Sequence, residues 1–153
     1  MDRITIKKIV SPTKEILDTT TKWMFEWWGK EDNYKYDDVY NYMKNSFNEK
    51  GLPQTYIMFL GDELIGMYQI TYRDLFTRPN IYPWIANVYI KEEYRNKGYG
   101  KILIDSIKNQ VKENTSFDTI FLYTTHDNLY ETFGWEYLET TENKNKIYKL
   151  GIR

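Results

Sequence analysis

Residues 3–9 largely alternate apolar and polar positions, which predicts a strand. From Ser11 the period lengthens. Ile16, Thr20, Trp23, Met24 and Trp27 recur at helical spacing to Trp28, with Ser11 as N-cap, Pro12 at the first helical position and Gly29 as the stop. Residues 29–35 are polar and read as loop. A second helix is predicted over 36–48, with Val39, Tyr42, Met43 and Phe47 on one face and Gly51-Leu52-Pro53 beyond its end. Residues 55–60 and 64–72 read as two strands of a hairpin around Gly61-Asp62-Glu63. A polar loop over 73–80 leads to a strand over 81–90, where Pro83 suggests an edge or a bulge. A third helix is predicted over 98–113, with Ile102, Leu103, Ile107 and Val111 buried. A strand over 117–124, a short helix over 128–133 and two strands over 135–140 and 146–150 complete the chain. This order is mixed α/β, a central sheet covered by helices, and 153 residues without repeat or linker suggest one domain over 1–153.

Composition narrows the chemistry. Without cysteine there is no disulfide, thiolate metal site or cysteine nucleophile, and the single histidine, His126, excludes a His-rich metal site. A net charge of −1 argues against a general nucleic-acid binder. The N-terminus lacks the apolar segment of a signal peptide, and no apolar run approaches the ~18 residues of a membrane span, so a cytoplasmic protein without a membrane partner is expected. Aromatic residues make up 18% of the chain, with 15 Tyr, yet the mean hydropathy is −0.70. Tyr joins an apolar body to a polar tip, so this excess suits a wet cavity as well as a core.

The most informative stretch runs from Val88-Tyr89-Ile90 through Arg95-Asn96-Lys97-Gly98-Tyr99-Gly100-Lys101. An apolar strand enters a basic, glycine-bearing turn that opens an amphipathic helix. The first amides of a helix lack internal partners and sit at the positive end of its dipole, so an anion, usually phosphate, fits there. Gly98 and Gly100 leave the backbone open to approach, while Arg95, Lys97 and Lys101 add positive charge. Neither a P-loop nor a G-x-G-x-x-G dinucleotide fingerprint is present.

Arg95-Asn96-Lys97-Gly98-Tyr99-Gly100, preceded by Val88-Tyr89-Ile90, resembles the acetyl-coenzyme A motif of the GCN5-related N-acetyltransferases, the GNAT superfamily. Leu129-Tyr130-Glu131-Thr132-Phe133-Gly134-Trp135 is similar to the family's second signature, about thirty residues on. The resemblance implies a mostly antiparallel sheet splayed between strands four and five and flanked by helices, with acetyl-coenzyme A in the opening. It places the pyrophosphate on the amides of Arg95, Asn96, Lys97, Gly98, Tyr99, Gly100 and Lys101, and the pantetheine arm along Val88 and Ile90. The Val88 amide would polarise the thioester carbonyl. Tyr130 matches the tyrosine that protonates the departing thiolate. Two departures stand out. An Asn common seven residues before that Tyr is Tyr123 here, leaving Asn128 as a substitute. A Glu found in some relatives on the strand before the turn is replaced by Trp84. A water chain, Glu26 or His126 then remains as base, histidine being the residue type that titrates near neutral pH.

By the same resemblance, the acceptor side comprises Trp23, Trp27, Trp28, Glu31, Asp32, Tyr34, Tyr36, Asp37 and Asp38, with Tyr82 and Trp84 opposite. Aromatic rings beside carboxylates suit a cationic amine. Trp23 and Trp27, four apart, also read as core, and Asp37 and Asp38 as helix-dipole partners, so Glu26, Trp28, Tyr82, Trp84 and His126 are the acceptor-site candidates. The expected activity is acetyl transfer to a small cationic or peptide amine by direct attack, by a monomer or homodimer. A non-catalytic acyl-coenzyme A sensor of the same fold is the alternative, and a nucleic-acid module on the basic turn a third.

Overall fold

A computed structural model describes residues 3–153. β1 (Ile4–Ile9) pairs antiparallel with β2 (Gln54–Leu60), which forms a hairpin with β3 (Glu63–Thr71). β3 pairs antiparallel with β4 (Trp84–Ile90). β5 (Thr119–Thr124), β6 (Glu136–Thr140) and β7 (Lys146–Gly151) form the other half, and the sheet order is β1-β2-β3-β4-β5-β7-β6. The halves meet at the parallel β4–β5 junction, whose register is confined to Trp84↔Phe121.

Helices α1 (Lys14–Met24) and α2 (Tyr36–Lys44) cover one face and α3 (Tyr99–Asn114) the other. β2 and β3 are therefore buried on both sides, which is why they read as nearly continuous apolar runs. Ile57 and Met67 pack with Leu17, Trp23, Val39 and Met43, while Tyr56 and Tyr68 pack with Leu103 and Ile107. Much of the tyrosine excess lies here: Tyr56 and Tyr68 stack with centroids 4.7 Å apart, and their hydroxyls donate to Gln54 and Gln110.

Several boundaries differ from the sequence expectation. α1 is capped by Thr13, whose Oγ1 accepts from the Ile16 amide at 3.2 Å, so Ser11 and Pro12 lie outside the helix. α1 then widens into a π-helical turn over Phe25–Gly29. A Cβ on Gly29 would meet Phe25 and Val39 at 3.0 Å, so this glycine serves close helix packing as well as termination. α2 stops at Lys44 because Asn45 Nδ2 and Ser46 Oγ donate to the Asn41 and Tyr42 carbonyls, ending the helix four residues early. Pro83 precedes β4, and its carbonyl accepts from the Phe121 amide at 3.0 Å; the bulge lies further on, at Asn87. Among the described residues, no helix is long and apolar enough to cross a membrane.

Candidate active site

From Gly66↔Ile90 to Gln69↔Ala86, β3 advances three residues while β4 advances four. The extra residue is Asn87, in the left-handed region at φ 53°. Such a bulge bends the strand and re-aims its backbone. It is fixed from within: Asn87 Nδ2 donates to Gln69 Oε1 at 2.6 Å, and Tyr42 of α2 donates to the same oxygen at 3.1 Å. Gln69 in turn donates to Thr55 Oγ1 at 3.0 Å and is fully buried. One side chain thus ties α2, β2 and β3 to the bend in β4.

Beyond the bulge, the Lys91 amide donates to the Ile65 carbonyl at 2.7 Å. Strand alternation therefore turns the backbone groups of Tyr89 and Lys91 toward β3, and those of Val88 and Ile90 toward the β4–β5 opening. The opening is a cleft of about 1010 Å³, with Val88 and Ile85 of β4, Leu122 and Tyr123 of β5, and Tyr130 among its walls.

After β4 the chain makes a single 3-10 turn over Glu92–Tyr94 and enters α3. Gly98 is the N-cap of α3 at φ 91°, a conformation that strains a side-chain-bearing residue. A Cβ there would meet nothing within 4 Å, so the helix N-terminus opens to free space. A Cβ on Gly100 would make ordinary contact with Ile90 at 3.8 Å. The turn is tethered through Glu63, which accepts from Lys91 at 3.0 Å and from the Tyr94 hydroxyl at 2.7 Å. Arg95 folds back: its Nε donates to the Ile90 carbonyl at 2.7 Å and its guanidinium stacks 5.1 Å from the Tyr89 ring. Lys97 lies over Tyr94, and Tyr99 packs edge-on against that ring. Arg95, Asn96, Lys97 and Gly98 are exposed along this turn ahead of the α3 N-terminus, and Lys101 is exposed beside it.

Tyr130 opens the short 3-10 turn Tyr130–Phe133, closed by Gly134 at φ 90°. Its ring is held by Trp135 and Tyr148 at about 6 Å, and it is 7% exposed, at the cleft wall. Burial pushes its hydroxyl up to about 12, so it stays protonated across neutral pH.

The other wall carries Trp27, Trp28, Asp32, Tyr34, Asp38 and Tyr42. Trp28 packs edge-on between Tyr34 and Tyr42, and its buried Nε1 has no protein partner. Trp27 is half exposed in the cleft, whereas Trp23 belongs to the core. His126 lines the cleft from the loop after β5. Other predicted residues stand elsewhere. Trp84 is fully buried and donates from Nε1 to the Ile81 carbonyl at 2.6 Å, so it is a core residue at the base of the splay. Tyr82 is exposed and packs on Tyr72. Glu26 and Asn128 are exposed and do not line the cleft.

Asn87 and Asp74 are not among the residues that the sequence motifs mark. A polar residue inside an otherwise apolar strand was the available signal for Asn87. Asp74 lies in the polar loop after β3, one of several polar residues there, and nothing local marked it.

The acetyltransferase (GNAT) family profile matches residues 14–135, most of the chain, and the protein belongs to that family. Comparison with curated proteins finds no match. Its fold is shared by an aminoglycoside 6'-N-acetyltransferase solved with coenzyme A (14% identity, TM-score 0.73, 97% of each chain covered). NAA60 of Arabidopsis thaliana, solved with acetyl-CoA, is 13% identical with TM-score 0.65, covering 98% of this chain and 100% of that one. The N-acetyltransferase PseH of Campylobacter jejuni is 16% identical with TM-score 0.64, covering 98% and 99%.

Proposed function

We propose that the chain, acting as one domain, transfers the acetyl group of acetyl-coenzyme A to a primary amine in the β4–β5 cleft. The observation that carries this is the convergence of two features. The outward-facing backbone of Val88 and the protonated Tyr130 border one cleft, and the open N-terminus of α3 follows β4 after the turn over 91–98. The α3 amides, from Gly98 through Lys101, suit the pyrophosphate because they combine unpaired donors with the positive dipole end. The arm runs along Val88 and Ile90, adding a strand where β5 diverges. Ile90 offers its amide, since its carbonyl is engaged by Arg95.

The amine lone pair attacks the thioester carbonyl carbon, forming the C–N bond. The carbonyl oxygen gains charge and accepts a hydrogen bond from the Val88 amide. The nitrogen gives up a proton to solvent, collapse breaks the C–S bond, and the thiolate takes its proton from Tyr130, which recovers one from solvent. The chain has no cysteine to carry a thiol-linked acetyl group, which favours direct transfer. Titrating acetyl-coenzyme A with amines of several classes and following free thiol tests this reading. Release that requires an amine supports it, and tight acetyl-coenzyme A binding without release from any amine favours a sensor.

A further inference from the structure

We propose that Asp74 receives the acceptor's ammonium group in the cleft and takes its proton before attack. The inference rests on the acetyl-transfer reading and names the base that reading lacks.

The cleft walls carry three carboxylates, from Asp32, Asp38 and Asp74, and no Lys or Arg among the described lining residues. The three are not equivalent. Asp38 spends an oxygen on the capping amide of Lys35 at 3.0 Å. Asp32 stands on the turn before α2, in the outer aromatic wall. Neither Asp32 nor Asp74 forms a salt bridge among the described residues, so these two differ by place rather than by pairing.

Position singles out Asp74. It lies three residues past the end of β3, where Thr71 pairs with Trp84 at the base of the splay. It lines the same cleft as Tyr42 of α2 and Tyr123 of β5, so the carboxylate shares one opening with both halves of the sheet. Tyr42 shares Gln69 with Asn87, which couples that side of the cleft to the bulge that aims Val88. Its loop is fastened at both ends. Thr71 Oγ1 donates to the Arg73 carbonyl at 3.0 Å, and Arg78 pairs with Glu139 of β6.

Asp74 is exposed and lines the cleft, and partial desolvation there pushes its carboxyl up to about 7. A base poised there accepts a proton from an ammonium and releases it to solvent near neutral pH. The other titratable groups lining the same cleft are Tyr42 and Asp38 from α2, Asp32 and Tyr34 from the turn before it, and Tyr123, His126 and Tyr130 from the β5 side. In the step, the ammonium N–H bond breaks and its proton passes to an Asp74 oxygen. The freed lone pair forms the C–N bond, and the second nitrogen proton leaves to solvent as the thiolate departs.

Asp74→Asn keeps the shape and removes the base. An Asp whose folded value lies above its unfolded one destabilises the fold at higher pH, so this variant should melt at or above the wild-type temperature at pH 8. Thiol release is measured with spermidine, kanamycin and a tripeptide with a free N-terminus. Wild-type kcat/KM is expected to rise with pH through about 7, and Asp74→Asn to lose that limb and about 100-fold of the rate, with acetyl-coenzyme A affinity unchanged. A variant within threefold of wild type, or one keeping the limb, overturns the proposal. Failure of wild type to bind acetyl-coenzyme A would instead sink the acetyl-transfer reading. If it binds but no amine reacts, the ¹³Cγ signal of Asp74 decides. A midpoint lowered by any of the three amines supports the assignment, and one that none of them moves overturns it.

Discussion

Gly98 and Gly100 are separated by one residue, and the structure assigns them opposite sensitivities. Gly98 sits at φ 91°, and forcing a side-chain-bearing residue into the left-handed region costs about 1–2 kcal/mol. For a chain of this size each kcal/mol lowers Tm by about 2–4 °C, so Gly98→Ala should melt about 2–8 °C below wild type. Gly100 lies in the first turn of α3 with room for a methyl at 3.8 Å from Ile90. Alanine is the better helix former there by as much as ~1 kcal/mol, so Gly100→Ala should be neutral or stabilising. The methyl of Gly98→Ala meets no protein atom within 4 Å and so occupies open space at the start of α3, where the proposed pyrophosphate site lies. A tenfold loss of acetyl-coenzyme A affinity, about 1.4 kcal/mol, is the expected minimum. Gly98→Asp, adding like charge, should abolish binding. Scanning calorimetry gives Tm and titration calorimetry gives Kd. A lower Tm with unchanged Kd refutes the pyrophosphate placement, and an unchanged Tm refutes the strain argument.

Tyr130→Phe should lower kcat by about 100-fold or more while leaving acetyl-coenzyme A affinity intact. Because the hydroxyl of Tyr130 is held near 12, its loss as a donor should not shape the wild-type pH profile at any pH below about 11. Gly66→Ala places a methyl 2.8 Å from the Tyr89 carbonyl and from Ile90 Cδ1, so β3 and β4 must part. A urea melt should show a loss of about 1–3 kcal/mol, together with weaker cofactor binding. Full stability would contradict the close approach at that pair.

The strands, α3 and both signature segments were legible because periodicity and local turn chemistry determine them. The order of elements followed from the same periodicity, and the splay, implied by the family resemblance, matches the confined β4–β5 register. Helix ends were less legible. Ser11-Pro12 looks like a helix start, but the Thr13 hydroxyl wins the capping contact two residues later. Side-chain bonds from Asn45 and Ser46 end α2 where apolar periodicity still runs on to Phe47. Trp84 illustrates a different limit. Its offset from the motif suggested the acceptor side, but its register with Phe121 buries it where the sheet halves still touch. Asp74 was illegible for the opposite reason. A loop carboxylate has no periodic neighbours, and its place in the cleft depends on contacts as distant as Arg78 with Glu139.

The central claim is direct acetyl transfer from bound cofactor to an amine. A rapid-quench experiment with protein in excess over acetyl-coenzyme A tests it most directly, with free thiol and acetylated amine measured in each sample. The account predicts no thiol until an amine is added, then one acetylated amine per thiol released and no acetyl group left on the protein. Thiol release before the amine arrives, with the acetyl group retained on the chain, would contradict it.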